Sequence, residues 1–87
     1  MTEIEFCRKH ARLGGEENRT VIYALTVSKT EFGELFGIAV RIAETGEAAF
    51  APELTLLKDE AERLLDMVAT GLVTPTTLLD IVTDWIG

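Results

Sequence analysis

The sequence predicts an α+β fold: a four-stranded antiparallel meander sheet with two C-terminal helices packed on one face, in the order β-β-β-β-α-α. Three observations carry this. Val21, Tyr23, Leu25 and Val27 alternate with Ile22, Ala24, Thr26 and Ser28, which is the period of a half-buried strand. The segments that separate the strand-like runs are short, and short connections favour neighbouring antiparallel strands. From Thr55 to Ile86 the apolar residues recur at helical spacing in two stretches, and such stripes must bury against something, here the sheet.

The first strand is expected over residues 2–13, with Ile4 and Phe6 on one face and Glu3, Glu5 and Lys9 on the other. Gly14-Gly15-Glu16-Glu17-Asn18 reads as a loop or hairpin turn. Arg19 to Lys29 is the second strand, and Thr30 to Gly33 turns the chain. Leu35 to Ala43 is the third, with Phe36, Ile38, Val40 and Ile42 toward the core. Glu44-Thr45-Gly46-Glu47 is a second hairpin turn, followed by a short fourth strand, Ala48 to Ala51. Pro52 ends that strand or marks it as an edge, because proline has no amide hydrogen for the ladder.

The first helix is expected to start at Thr55, whose hydroxyl can cap first-turn amides. Asp59, Glu60 and Glu62 lie in its N-terminal half, where the helix dipole favours negative charge. Leu57, Ala61, Leu64, Leu65, Val68 and Leu72 form its apolar stripe, with Asp59 and Arg63 four apart on the wet side. Gly71 stands where a left-handed terminating residue is expected. Thr74-Pro75 opens the second helix, since proline at the first position sacrifices no hydrogen bond. Leu78, Leu79, Ile81, Val82, Trp85 and Ile86 are expected to face inward, and Thr76, Thr77, Asp80, Thr83 and Asp84 outward.

Several short motifs lie in this part of the chain: Phe36-Gly37-Ile38, Glu53-Leu54-Thr55, Ala61-Glu62-Arg63-Leu64, Val73-Thr74-Pro75, Asp80-Ile81-Val82 and Asp84-Trp85. Through them residues 36 to 86 resemble a family of small uncharacterised bacterial proteins, mostly from Firmicutes. Members of that family usually carry Ser-Pro and then a His two residues after the proline. Thr77 occupies that place here, so no role of such a His carries over. The resemblance implies a domain of unknown function, with no activity and no site residues attached to it.

A chain of 87 residues makes one domain, residues 1–87. A domain this size buries only about 60–65% of its unfolded surface, so a dimer would add stability. The single cysteine allows no internal disulfide and fits a reducing cytosol. The acidic start (Glu3, Glu5) has no long apolar run behind it, and Leu35 to Ala43 is interrupted by Arg41 and too short for a bilayer. A cytoplasmic protein with no membrane partner is therefore expected. The net charge is −7, and it is unevenly placed. Residues 1–43 hold six acids and six bases, whereas residues 44–87 hold nine acids against Lys58 and Arg63. An acidic surface repels phosphate backbones, which argues against nucleic acid as a partner.

Chemistry-bearing constellations are missing from this reading. Cys7 and His10 are three apart, so on a strand they fall on opposite faces and form no nucleophilic dyad, and they give only two of the four ligands that a structural zinc site needs. Arg8-Lys9-His10-Arg12 reads as a solvated edge whose charges discourage strand addition. Glu60, Glu62, Asp66, Asp80 and Asp84 sit on solvent faces with no apolar pocket to tune a carboxyl. Gly14-Gly15 lacks the Lys-Ser/Thr of a phosphate-cradling loop. The second helix has no Arg or Lys, so it cannot serve as a DNA recognition helix.

What remains is binding. The outer sheet face is small and poor in charge, and Ile22, Ala24, Thr26, Gly37, Ala39 and Arg41 are the candidate interface. The expected function is a non-catalytic cytoplasmic protein-interaction module that needs no cofactor or metal and that self-associates as a homodimer. The alternative is a small-molecule or regulatory binding domain with a pocket between helices and sheet, near Tyr23 and Trp85.

Overall fold

The computed structural model describes residues 1–12 and 17–87. Four strands, β1 (Thr2–Arg12), β2 (Asn18–Thr30), β3 (Gly33–Ile42) and β4 (Ala48–Thr55), are followed by α1 (Lys58–Thr70) and α2 (Pro75–Ile86). The sheet is an antiparallel meander in the order β1-β2-β3-β4. Most of the first expected turn, residues 14–16, and Leu13 of the first strand lie outside the described residues.

The β2–β3 hairpin sets the core. Its register places Val21, Tyr23, Leu25 and Val27 opposite Ile42, Val40, Ile38 and Phe36. Gly33 closes the turn at φ +116°, a conformation that a side chain would resist. The helices cover this face: α1 packs across all four strands and α2 across β4 and β3. Ala61, Leu64, Leu65, Val68, Leu78 and Val82 are buried against the strands.

Two strand expectations change. A bulge between Glu5 and Cys7 shifts the β1–β2 register, which reverses the alternation beyond it. Lys9 therefore pairs with Val21 on the helix side together with Ile4, while Glu3, Glu5, Arg8, His10 and Arg12 pair with the outer-face residues of β2. The fourth strand does not stop at Pro52 but runs on to Thr55, irregularly. Its register against β3 slips between Phe36 and Ile38, and Glu53 sits there at φ +57°. An edge position tolerates the proline, as its outward side needs no ladder bond.

The helix ends differ from expectation as well. Thr55 belongs to β4, and the residue that caps α1 is Leu57, which makes no side-chain cap bond. The Thr55 hydroxyl instead accepts the Leu57 amide at 3.1 Å and donates to Glu60 Oε2 at 3.1 Å. At the other end the left-handed residue is Leu72 (φ +51°), not Gly71. Leu72 N–H donates to the Ala69 carbonyl and Val73 N–H to the Val68 carbonyl, the two bonds of a Schellman turn. Thr74 precedes Pro75 as expected, but its hydroxyl caps nothing. In α2 the buried stripe is Leu78 and Val82, with Ile81 and Trp85 half-buried, whereas Leu79 and Ile86 are exposed. At 100° per residue those two fall on the flank of the stripe. Asp59 and Arg63 do not pair; the ion pairs among the described residues are Arg8–Glu5, Arg19–Glu17 and Arg41–Glu3.

One bond ties the helical layer to the sheet. Tyr23, fully buried in β2, donates its hydroxyl proton to the Val73 carbonyl at 2.8 Å, in the turn between the helices. Burial, with the Cys7 thiol beside it, pushes this phenol up to about 12. Its raised value stabilises the fold below the ordinary tyrosine range, and that contribution is lost as pH climbs from 10 toward 12. Tyr23→Phe is expected to cost about 1–3 kcal/mol in urea unfolding at pH 8, because the carbonyl loses its partner. The variant should also show a shallower loss of stability between pH 10 and 12 than the parent.

Candidate protein-interaction site

The outer sheet face is closed by its own side chains. Ala24, Thr26, Gly37 and Ala39, four of the six candidate interface residues, are buried within the single chain. Arg41 reaches from β3 to Glu3 on β1, its Nε 3.1 Å from Glu3 Oε1, and its guanidinium lies 5.0 Å from the centre of the Phe50 ring on β4. This chain of contacts spans β2 and lies over the small residues beneath it. Below Gly37 the irregular part of β4 comes closer still: a β-carbon there would meet the Ala51 carbonyl oxygen at 2.3 Å. The Thr26 hydroxyl is sealed in without a protein partner. Of the six, Ile22 and Arg41 alone remain half-exposed.

The helix side is where apolar surface stays open. The 13 residues of β2 extend about 43 Å at strand rise, whereas the 13 residues of α1 cover about 20 Å at helix rise. The sheet therefore outruns its cover. At the uncovered end a cleft of about 610 Å³ is lined by Met1, Ile4, Val27 and Phe36, with Lys29, Lys58 and Glu34 at its rim. Phe36 and Lys58 are shared with a second depression that contains Leu56 and Leu57. Ile4, Leu56 and Leu57 are 51%, 59% and 58% exposed.

Leu57 stands out on local grounds. A helix N-cap favours Asp, Asn, Ser or Thr, whose oxygen accepts an orphan amide, and disfavours leucine. Here an exposed leucine holds that position and gives no cap bond. Places where a sequence breaks its own local rules are where function is expected. The signal was present in the sequence as Leu56-Leu57 directly before Lys58-Asp59-Glu60. Two local features mask it: the Thr55 hydroxyl is a fitting cap, and Leu57 matches the apolar stripe by spacing.

The titratable residues are dispersed. Cys7 pairs with Tyr23 on the helix side, and His10 pairs with Thr20 on the outer face, its Nδ1 3.2 Å from the Thr20 hydroxyl. No bulge lies between them, so they diverge as the spacing implies. Arg8, His10 and Arg12 do share one face. The Arg8 guanidinium holds the Glu5 carboxyl below the usual range, and the Thr20 amide and hydroxyl do the same for Glu44. Among the described residues no three His, Cys, Asp or Glu side chains converge as a metal site. Tyr23 is fully buried and its hydroxyl is occupied, whereas Trp85 lines a shallow depression with Leu54, Thr55, Glu60, Arg63 and Ile86. The two aromatic residues do not frame one pocket. No helix among the described residues is long and apolar enough to cross a membrane.

A family model described as "Family of unknown function (DUF6514)" matches residues 2–87. The match takes in the first two strands, which the short motifs of residues 36 to 86 leave out. No curated protein and no solved structure matches the chain.

Proposed function

The chain belongs to this family of unknown function (DUF6514), and from that premise we propose a non-catalytic, cytoplasmic protein-interaction module that binds an apolar segment of a partner protein. The observation that carries the reading is Leu57: an exposed leucine at a helix cap, continuous through Phe36 and Lys58 with the open apolar cleft. Self-association into a homodimer belongs to the same reading, because a small domain gains buried surface from a second copy.

Leu57→Asp separates binding from folding. Aspartate at the cap position should raise unfolding stability by about 0.5–2 kcal/mol, since its carboxylate accepts a first-turn amide. The same change places a charge in the apolar surface and should abolish capture of the partner by the tagged protein in lysate of its own host. Capture undiminished by a variant that melts higher than the parent would remove Leu57 and the cleft from the function.

A further inference from the structure

We infer that β1 is a self-complementary edge and that two copies of this chain join through antiparallel β1–β1 pairing about a two-fold axis. The inference rests on and deepens the homodimer part of the proposed function, and it sets the second copy alongside the Met1 and Ile4 wall of the apolar cleft.

The argument starts from the bulge. In a regular strand Glu3 and Glu5 would lie on one face and Arg8, His10 and Arg12 on the other, because their numbers differ in parity. The slip between Glu5 and Cys7 puts all five on the outer face, opposite Thr26, Ala24, Ile22, Thr20 and Asn18 of β2. One face of the strand thus carries acids in its first half and bases in its second.

An antiparallel pair about a two-fold axis sets the first half of one copy against the second half of the other. Facing residues must share a sheet face, and in the register centred between Phe6 and Cys7 they do. Glu5 then lies opposite Arg8 of the second copy, Glu3 opposite its His10, and Ile4 opposite its Lys9 on the helix side. The Glu5–Arg8 bonds within each chain, at 2.6 and 2.9 Å, come together at the axis, so each carboxylate is flanked by both guanidiniums. Opposite charges across neighbouring strands stabilise pairing and like charges oppose it.

The two sheet edges are not equivalent. β4 has 8 residues and is interrupted at Pro52–Glu53, which blunts strand addition. β1 has 11 residues, and among the described residues its outward backbone groups face no other strand of the sheet. The mixed charges of β1 repel most strands, but they complement a second β1 in reverse orientation.

The test uses the purified full chain in light scattering coupled to size exclusion, over protein concentrations up to about 1 mM, the weak end of the affinity scale. The parent is expected to shift from monomer to dimer as concentration rises. Glu5→Arg and Arg8→Glu each set like charges opposite one another twice per dimer, and each should raise Kd by about tenfold or more. Mixed one to one, the two variants should recover a dimer containing one of each, since Arg at position 5 then meets Glu at position 8. The double variant Glu5→Arg/Arg8→Glu should self-associate again, and circular dichroism melts identify which variants are folded. A parent that stays monomeric at the highest concentration overturns the inference. So do folded single variants that dimerise like the parent, or a mixture that stays monomeric. None of these outcomes touches the Leu57 test, which follows capture of a different protein.

Discussion

A single methyl group at Gly37 is expected to do more damage than any other change of that size in this chain. Gly37→Ala would place its β-carbon 2.3 Å from the Ala51 carbonyl oxygen, 2.6 Å from Pro52 Cα and 2.8 Å from the Pro52 carbonyl carbon. All three are backbone atoms of β4, so no side chain can swing aside. Overpacking costs typically 1–3 kcal/mol, and a contact this close against main chain should reach about 3 kcal/mol or more. For a domain of this size that is a fall in melting temperature of about 12 °C or more. Gly46→Ala supplies the contrast. Gly46 has open space around it but a φ of +78°, so alanine there meets only backbone strain, about 1–2 kcal/mol. Thermal unfolding of the two variants should rank Gly37→Ala well below Gly46→Ala. The reverse order would mean that β4 does not fold over Gly37.

Leu65→Ala is expected to cost about 2–5 kcal/mol, the range for deleting a fully buried leucine side chain. Leu65 has no exposed surface and sits in the cluster that joins α1 to β2 and β3. Total stability at this length is on the order of 4–13 kcal/mol, so the variant should lose a large share of it. Leu79→Ala is its counterpart: Leu79 is exposed on α2, and its loss should change stability by about 0.5 kcal/mol or less. The fluorescence of Trp85, the single tryptophan, can follow urea unfolding of both. Equal costs for the two leucines would mean that the orientation of the helices on the sheet is wrong.

The residues that these two predictions compare show how far the sequence could be read. Leu65 and Leu79 both fit an inward stripe by spacing, but a helix of four turns or fewer allows a stripe to be drawn to either side. Only the direction from which the sheet approaches separates them. Gly37 was legible as part of a strand, yet nothing local shows that β4 would cross its outer side. The same holds for the candidate interface. Ala24, Thr26 and Ala39 were correctly placed on the outer face, but their burial depends on Arg41, Phe50 and Glu3 reaching over from other strands. The cleft at Met1, Ile4 and Phe36 is not legible in the sequence for a related reason: it arises from the mismatch between strand and helix lengths, which no single element records.

The sequence by itself determined the order of elements, the meander, the core face of the β2–β3 hairpin and the two helices with Pro75 at the start of the second. Each of these follows from period and turn chemistry within a few residues of chain, where local sterics and hydrophobic alternation decide. Tertiary structure alone decided the bulge in β1, the passage of β4 over Gly37, the left-handed turn at Leu72 and which apolar residues stay in water. For β4 over Gly37 and for the exposed apolar residues, segments distant in the chain meet in one space, and packing rather than local preference selects the outcome.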